Sequence, residues 1–343
     1  MSGELKSVLE DGPIEGEPLV SVCVITYNHG KYIRQCLDGI LMQKVNFPYE
    51  ILIHDDASPD DTADIIREYW EKYPTVIKPI LRTENQYSKG VDVCWFNFDR
   101  AKAKYIAQCE GDDYWTDDGK LQMQVDFLEE HGEYVACVHR VRVIDGEGNQ
   151  TTRGGFDRKL RKSHYNLRDC ERPSHNNFCD GHLCSLLHKN IYPSLNEDVQ
   201  KEYYSIKLNG DTKLFYLLLC HGDISRSNKD MATHRCIVSG GTSWSARTSG
   251  QNHCEIGWFG LNQLYGISDK LTNTKISWNH WGIMYYISAM LRYIKVPTET
   301  NRNIYNHIKS TIPMSWLFSY STVIAIHSII SNALYVHFSR LIR

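Results

Sequence analysis

From Leu19 to Thr26 the chain reads LVSVCVIT, a nearly continuous apolar run of strand length. A strand with one wet face alternates apolar and polar residues. This run stays apolar on both faces, which suits a parallel sheet covered by helices on each side. Tyr27-Asn28-His29-Gly30 follows as turn chemistry, and Ile33, Cys36, Leu37, Ile40 and Leu41 then recur at helical spacing on one face. After Pro48, Glu50-Ile51-Leu52-Ile53-His54 reads as a second strand. Ser58-Pro59-Asp60-Asp61 has the form of a helix start, with Ser58 as cap, Pro59 in the first position and Asp61 closing a capping box. Ile65, Ile66, Tyr69 and Trp70 give that helix a buried face. A third strand is expected at Val76–Leu81, a helix around Val91–Lys102 and a fourth strand at Lys104–Cys109. Thr116-Asp117-Asp118 caps a further helix, with Leu121, Val125 and Leu128 along one side, and a fifth strand is expected at Tyr134–Val143.

The acidic residues fall at particular points of this alternation. Strand two runs into Asp55-Asp56-Ala57-Ser58, and strand four delivers Cys109-Glu110-Gly111-Asp112-Asp113-Tyr114-Trp115. Two unit charges about 4 Å apart repel by roughly 4 kcal/mol at an effective dielectric of 20. A fold tolerates such a cluster in open water or around a cation. Ligands of open parallel sheets bind beyond the carboxyl ends of the strands, so both clusters aim at one rim. Carboxylates there suit Mg²⁺ or Mn²⁺, whose remaining positions a nucleoside diphosphate can fill. Such an ion neutralises the charge that grows on a leaving diphosphate. Asp55 or Asp56 can meanwhile accept hydrogen bonds from a base or a ribose.

Bulk properties remove several classes. The 343 residues suffice for one large domain with an appendage, or for two. A net charge of −3 offers no basic field, so nucleic acid is not the expected partner. Residues 1–17 are polar and acidic, lack the pattern of a secretory signal and read as a flexible leader. Eleven cysteines without a CxxC pair point to reduced thiols and a cytoplasmic setting. The fifteen histidines show neither HExxH nor zinc-ligand spacing and are read as structural or surface groups. No GxGxxG follows strand one, which argues against a dehydrogenase. The segment TYNHGKYIRQ has one glycine, which argues against a sugar-phosphate nucleotidylyltransferase and its Gly-rich loop.

Three segments carry a resemblance: VSVCVITYNHGKYIRQCLDGILMQ, YEILIHDDASPDDTADIIREY and KYIAQCEGDDYWTDDGKLQMQVDFLEEH. In this order and spacing, over residues 18–131, they resemble the family 2 glycosyltransferases of the GT-A fold. Weaker echoes follow at Asn209–Phe215 and His234–Gly241. The resemblance implies an inverting enzyme that takes a nucleotide-diphosphate sugar and a divalent metal, Mn²⁺ or Mg²⁺. It places Thr26, Tyr27 and Asn28 beside the nucleobase, and Asp55 and Asp56 on base and ribose. The DxD-type motif matches Glu110-Gly111-Asp112, with the metal on Asp112 and Asp113. The base that deprotonates the acceptor hydroxyl matches Asp211, a residue that also suits a plain helix cap before Thr212–Leu219. Arg235 would meet the diphosphate from a mobile loop made flexible by Gly240-Gly241. Trp115 and Trp244 can stack on sugar faces, although core packing is the more economical role for either.

The expected architecture is a GT-A-like α/β domain over 18–250, Rossmann-like with a mostly parallel sheet, and a mainly helical extension over 251–343. Residues 146–175, rich in glycine and basic side chains, read as a long surface loop. A helix is expected at Asp211–Cys220, and residues 281–343 look helical. Trp316–Val336 lacks Asp, Glu, Lys and Arg, and just reaches the ~20 residues that span a bilayer. It admits a packed helix, an interfacial helix on a membrane, or a span. The acceptor implied is a glycan or a lipid-linked sugar, in assembly of a bacterial capsule or lipopolysaccharide on the inner face of the cytoplasmic membrane. A sugar-nucleotide-binding module without turnover is the alternative.

Overall fold

A computed structural model describes residues 4–151, 162–171, 178–237 and 253–317. The chain divides into two compact units. The first comprises Met1–Asn166, Cys179–Tyr204 and Leu217–Ser249. The second comprises Leu167–Phe178, Ser205–Tyr216 and Gly250–Arg343, so it takes in two earlier stretches as well as the C-terminal region.

The first unit is built on a sheet that begins with strands β1 (Val20–Thr26), β2 (Tyr49–Asp55), β3 (Ile77–Leu81) and β4 (Tyr105–Glu110). They pair in parallel in the order β3-β2-β1-β4. β2 is buried along its whole length and β1 and β4 nearly so, as their unbroken apolar runs require. Helices α2 (Ile33–Leu41), α3 (Thr62–Lys72) and α5 (Lys120–Glu130) contribute their apolar stripes to one core with Val20, Val22, Val24, Ile51 and Ile53. Each fully buried Ile or Leu there is worth about 1.5–3 kcal/mol. Next to the sheet, α4 (Trp95–Phe98) sends the Asn97 amide to the Val24 carbonyl at 2.8 Å. Phe98 stacks on Tyr192. Only these four residues of the expected helix Val91–Lys102 are α-helical.

Beyond β4 the sheet becomes mixed. β8 (Leu187–Lys189) inserts antiparallel between β4 and β6 (Tyr134–Ile144). β9 (Asp223–Arg235) runs parallel to β6, and the short β5 (Tyr114–Trp115) pairs antiparallel with the end of β9. β7 (His164–Tyr165) adds to β9 inside the stretch expected to be loop.

Several local expectations are corrected. Residues 4–17 do not behave as a flexible leader. Lys6 bridges to Val45, a short helix α1 spans Val8–Asp11 with Ser7 as its cap, and Val8 lies in the core. Ser58 does not cap α3. Its hydroxyl donates to the Asp55 carboxylate, and the helix opens three residues later than expected, after Asp61. Asp60 instead accepts from the Thr62 and Gly30 backbone N–H groups. Thr116-Asp117-Asp118 does not cap α5 either. The Leu121 N–H near its start is satisfied from across the core by Gln43 Oε1 at 2.9 Å.

In the second unit, helices α8 (His253–Leu271), α9 (Asn279–Lys295) and α10 (Glu299–Thr311) give the helical C-terminal region. Buried indoles join its parts: Trp258 Nε1 donates to Thr311 Oγ1, and Trp281 Nε1 to the Cys170 carbonyl, each at 2.8 Å. Gly282 is required where α9 meets Trp316, because a Cβ would stand 2.7 Å from that ring. Among the described residues no helix is long and apolar enough to cross a membrane. Residues 318–336 of the uncharged run, with Gly240, Gly241 and Trp244, lie outside the described residues.

Candidate functional site

Pairing of β1 with both neighbours brings the acidic tips together. Thr26 lies opposite Asp55, and Ile25 opposite Glu110. Past the strand ends, the Asp56 N–H donates to the Thr26 carbonyl at 3.0 Å and the Gly111 N–H to the Ile25 carbonyl at 2.9 Å. The two acidic clusters therefore flank the end of β1, as the sheet rule requires.

On the β2 side, Asn28 and Ala57 both adopt positive φ, 60° and 63°. This is a costly conformation for a residue with a Cβ, and such sites cluster where a ligand is gripped. Ser58 joins the two turns: its Oγ accepts from the Asn28 N–H at 2.8 Å and donates to Asp55. Tyr27 is half-buried and Asn28 exposed at the rim. Burial raises the Asp55 carboxyl above the usual range. Asp56 is engaged within the protein. Its Oδ1 accepts from the Gln86 N–H at 2.8 Å and its Oδ2 from the Tyr87 N–H at 2.9 Å. The carboxylate thus pins the 85–87 segment beside the rim.

On the β4 side, the chain turns sharply from Glu110 to Asp113, the Asp113 N–H closing onto the Glu110 carbonyl at 2.9 Å. Gly111 packs against β1 so closely that a Cβ would lie 2.5 Å from Thr26 Oγ1 and 2.9 Å from His29 Nδ1. The turn sends its two aspartates in different directions. Asp112 is half-buried, with Oδ2 3.8 Å from His29 Nε2. Burial raises its carboxyl above the usual range. Asp113 is buried against β9 and the 182–185 turn. Its Oδ1 lies 3.1 Å from His234 Nδ1 and accepts from the Arg235 N–H at 2.8 Å, and its Oδ2 lies 3.4 Å from His182 Nδ1. Burial pushes the Asp113 carboxyl up, but the His234 and His182 rings overcome that and hold it below the usual range. Burial also works against a charged His234, yet Asp113 raises that imidazole well above its ordinary value. Among the described residues, one group of three side chains could hold a metal ion: Asp113, His182 and His234.

Arg235 closes the inner wall. It is the last residue of β9 and buried, not part of a mobile loop. Its Nε donates to the Asp112 carbonyl at 3.1 Å and an Nη to Gln35 Oε1 at 3.0 Å, while the guanidinium lies 4.3 Å from the centre of the Tyr32 ring. Trp115 belongs to the core, its Nε1 donating to the Cys184 carbonyl. Asp211 lies in the second unit, half-buried at the start of α7 (Gly210–Leu219), the next helix in the chain after α6 (Glu197–Ser205), with its N–H on Asn209 Oδ1 at 3.0 Å.

Residues 21–192, half of the chain, match the family described as Glycosyl transferase family 2. The chain belongs to that family. An uncharacterised protein of Mycobacterium tuberculosis is 46% identical to this glycosyltransferase over 131 residues, 38% of this chain and 37% of the relative. The chondroitin synthase of Escherichia coli is 32% identical over 151 residues, 43% of this chain and 21% of that protein. These matches span little more than a third of the curated relatives at most. Among solved structures, residues 1–349 of Staphylococcus aureus TarS in complex with UDP-GlcNAc align with a TM-score of 0.57, covering 84% of this chain and 79% of that one at 16% identity. That likeness shows the GT-A fold.

Two residues of this glycosyltransferase's candidate site escaped sequence reasoning. His182 and His234, grouped with the structural or surface histidines, are the partners of Asp113. His182 lies 69 residues from Asp113 and His234 lies 121 away, with no spacing motif to join them. The one signal was the echo at His234-Arg235, which drew attention only to its arginine.

Proposed function

We propose that the chain transfers a sugar from a nucleoside-diphosphate donor to a hydroxyl of a glycan or lipid-linked acceptor, with inversion at the anomeric carbon. The carrying observation is the meeting of two acidic turns at the end of β1, one of them closed through Gly111. On this reading the nucleoside lies against Thr26, Tyr27, Asn28 and Asp55. Asp56 acts on that pocket by holding the 85–87 segment. Glu110 and Asp112 face the diphosphate. Mn²⁺ or Mg²⁺ held by Asp112 at the rim would supply neutralisation of the charge on the leaving diphosphate, Asp113 being turned away onto His182 and His234. Arg235 fixes the Asp112 backbone from behind. The proton acceptor carried by the family resemblance is Asp211, which takes the acceptor's hydroxyl proton as the glycosidic bond forms and the nucleoside diphosphate leaves. The chondroitin synthase among the relatives supports a role in polysaccharide assembly. The work would take place in the cytoplasm, with the C-terminal helices allowing peripheral membrane contact.

A panel of nucleotide sugars, screened for thermal stabilisation with and without Mn²⁺, tests the reading. A true donor at a hundredfold excess over its dissociation constant should stabilise by about 2.7 kcal/mol. Asp112→Asn should remove the metal-dependent part of that gain. Asp211→Asn should keep donor binding and lose transfer to acceptor by 10²-fold or more. A melt that no donor shifts overturns the proposal. Donor binding with no transfer to any acceptor leaves a binding module.

A further inference from the structure

In the second unit, α9 starts packed and ends bare. His280, Trp281, Gly282 and Ile283 are buried in its first turn, and so is Ala289 further along. Beyond Ala289 no residue of the helix is buried. Leu291, Ile294 and Val296 are 47%, 67% and 46% exposed, and among the described residues Ile294 is the most exposed large hydrophobic side chain. Met284, Ile287, Leu291 and Ile294 recur at intervals of three and four, so they share one face. Met284 and Ile287 are half-buried. Single exposed hydrophobic residues are ordinary on a protein surface, but a row of them marks a contact surface.

Two kinds of side chain border the row. Lys295 stands four residues after Leu291 and is exposed. On the other edge Met290, four residues before Ile294, leads to Tyr286 and Tyr293. Tyr286 Oη lies 3.1 Å from Tyr305 Oη of α10, and the Tyr293 ring lies nearly parallel to that of Tyr305 at 6.1 Å. Lys309 Nζ lies 5.8 Å from the centre of the Tyr305 ring. From Leu271 to Arg343 the chain carries seven basic residues and one acidic, although its total charge is −3. That one acid, Glu299, lies 4.0 Å from Arg302. The uncharged run Trp316–Val336 falls in the same stretch.

We propose that this row docks the chain on the surface of a bilayer that contains anionic lipid, with Leu291, Ile294 and Val296 entering the acyl boundary and Lys295 meeting headgroup phosphates. The proposal deepens the reading above and rests on its lipid-linked acceptor for the docking's use, while binding to lipid can be measured without donor, metal or turnover.

Charge complementarity selects the partner. A helix lying on a membrane binds through buried apolar area together with attraction of its basic residues to anionic headgroups. Tyrosine suits that boundary, since its ring is apolar and its hydroxyl polar. A second copy seated on the same row would bring the same basic residues to both sides of the contact, with Glu299 already against Arg302. An acidic protein would answer the basic residues, but the nearby run of twenty-one residues without a charge gives it nothing to pair with.

The experiment mixes the full chain, with no nucleotide or metal present, with sedimenting vesicles of phosphatidylcholine alone or of phosphatidylcholine mixed with phosphatidylglycerol. The expected result is binding at least tenfold tighter to the mixed vesicles, weakened by added salt. Leu291→Ser combined with Ile294→Ser should lose at least tenfold in that affinity with an unchanged melting temperature, because both side chains are exposed. Lys295→Glu should weaken binding to the mixed vesicles by about fivefold or more, and it serves as the second reading if the double variant fails to fold. Absence of binding, equal binding to both vesicles, undiminished binding by a folded double variant, or a dimer in analytical ultracentrifugation that the double variant dissolves overturns the inference. A chain that binds vesicles as described yet recognises no nucleotide sugar keeps the inference and loses the proposed function. Transfer to a soluble acceptor by a chain that ignores vesicles does the reverse.

Discussion

At Gly111 the absence of a side chain lets the acidic turn lie against β1. An added Cβ would meet Thr26 Oγ1 at 2.5 Å and His29 Nδ1 at 2.9 Å, closer than real Cβ contacts. His29 is itself held, its backbone N–H donating to Thr62 Oγ1 at 2.9 Å and its ring Nδ1 lying 3.2 Å from Thr26 Oγ1, so it has little room to give. Gly111→Ala should therefore push the Glu110–Asp113 turn off the sheet. The expected outcome is loss of nucleotide-sugar stabilisation in a thermal-shift assay, with destabilisation of about 1–3 kcal/mol by urea titration. Single residues also show where motif reading reaches its limit. Asp55 and Asp56 were both legible as an acidic pair at a strand end. Nothing in their spacing shows that Asp56 is occupied by the Gln86 and Tyr87 N–H groups, because those donors arrive from another loop. Ser58 likewise had every local mark of a helix cap, but its hydroxyl oxygen accepts from the Asn28 N–H at 2.8 Å, in place of a helix N–H, while its proton goes to the Asp55 carboxylate.

Among elements, the strands with unbroken apolar runs were the most legible. β1, β2 and β4 fall within a residue or two of expectation, because burial on both faces leaves a composition that no loop shares. β8 and β9 were not legible. β8 is three residues long, and β9 is largely polar, DISRSNKDMATHR, with an irregular burial pattern. Both owe their extended form to partners already in the sheet rather than to propensity. The contact of α2 with β5 decides how closely the site's floor sits. Gly39 faces the Trp115 backbone, where a Cβ would lie 2.7 Å from the carbonyl oxygen and 3.0 Å from the nitrogen. Backbone cannot rotate away as a side chain can. Gly39→Ala should cost about 1–3 kcal/mol in a denaturant titration, despite alanine's better helix propensity. A stabilised variant would show that α2 shifts freely over β5.

For the whole molecule, stability should depend on pH through imidazoles that the sheet buries neutral. Burial lowers His188 to about 4, its Nδ1 lying 2.8 Å from the Lys189 carbonyl. Burial also drives His139 well below the ordinary value, with Lys120 and then Arg226 adding charge repulsion. Both folded values lie below the unfolded one, so the unfolded chain binds more protons between the two. Stability is then complete above about pH 6.5 and falls as the pH drops towards 4, by on the order of 3 kcal/mol for His188 alone. His188→Gln should flatten that acid limb in urea titrations between pH 7 and pH 4.5, and an unchanged slope would show that the ring is not buried neutral. At this scale the amino-acid sequence by itself determined the α/β alternation, the GT-A family and the rim that the acidic residues share. Those features follow from local periodicity and from the rule that parallel strands end on one side. Only the tertiary structure decided that the sheet turns mixed beyond β4, that Asp112 and Asp113 part company, and that His182 and His234 stand against Asp113. Each of these depends on pairings between residues 50 to 123 positions apart, and over such distances only the packed chain determines which side chains meet.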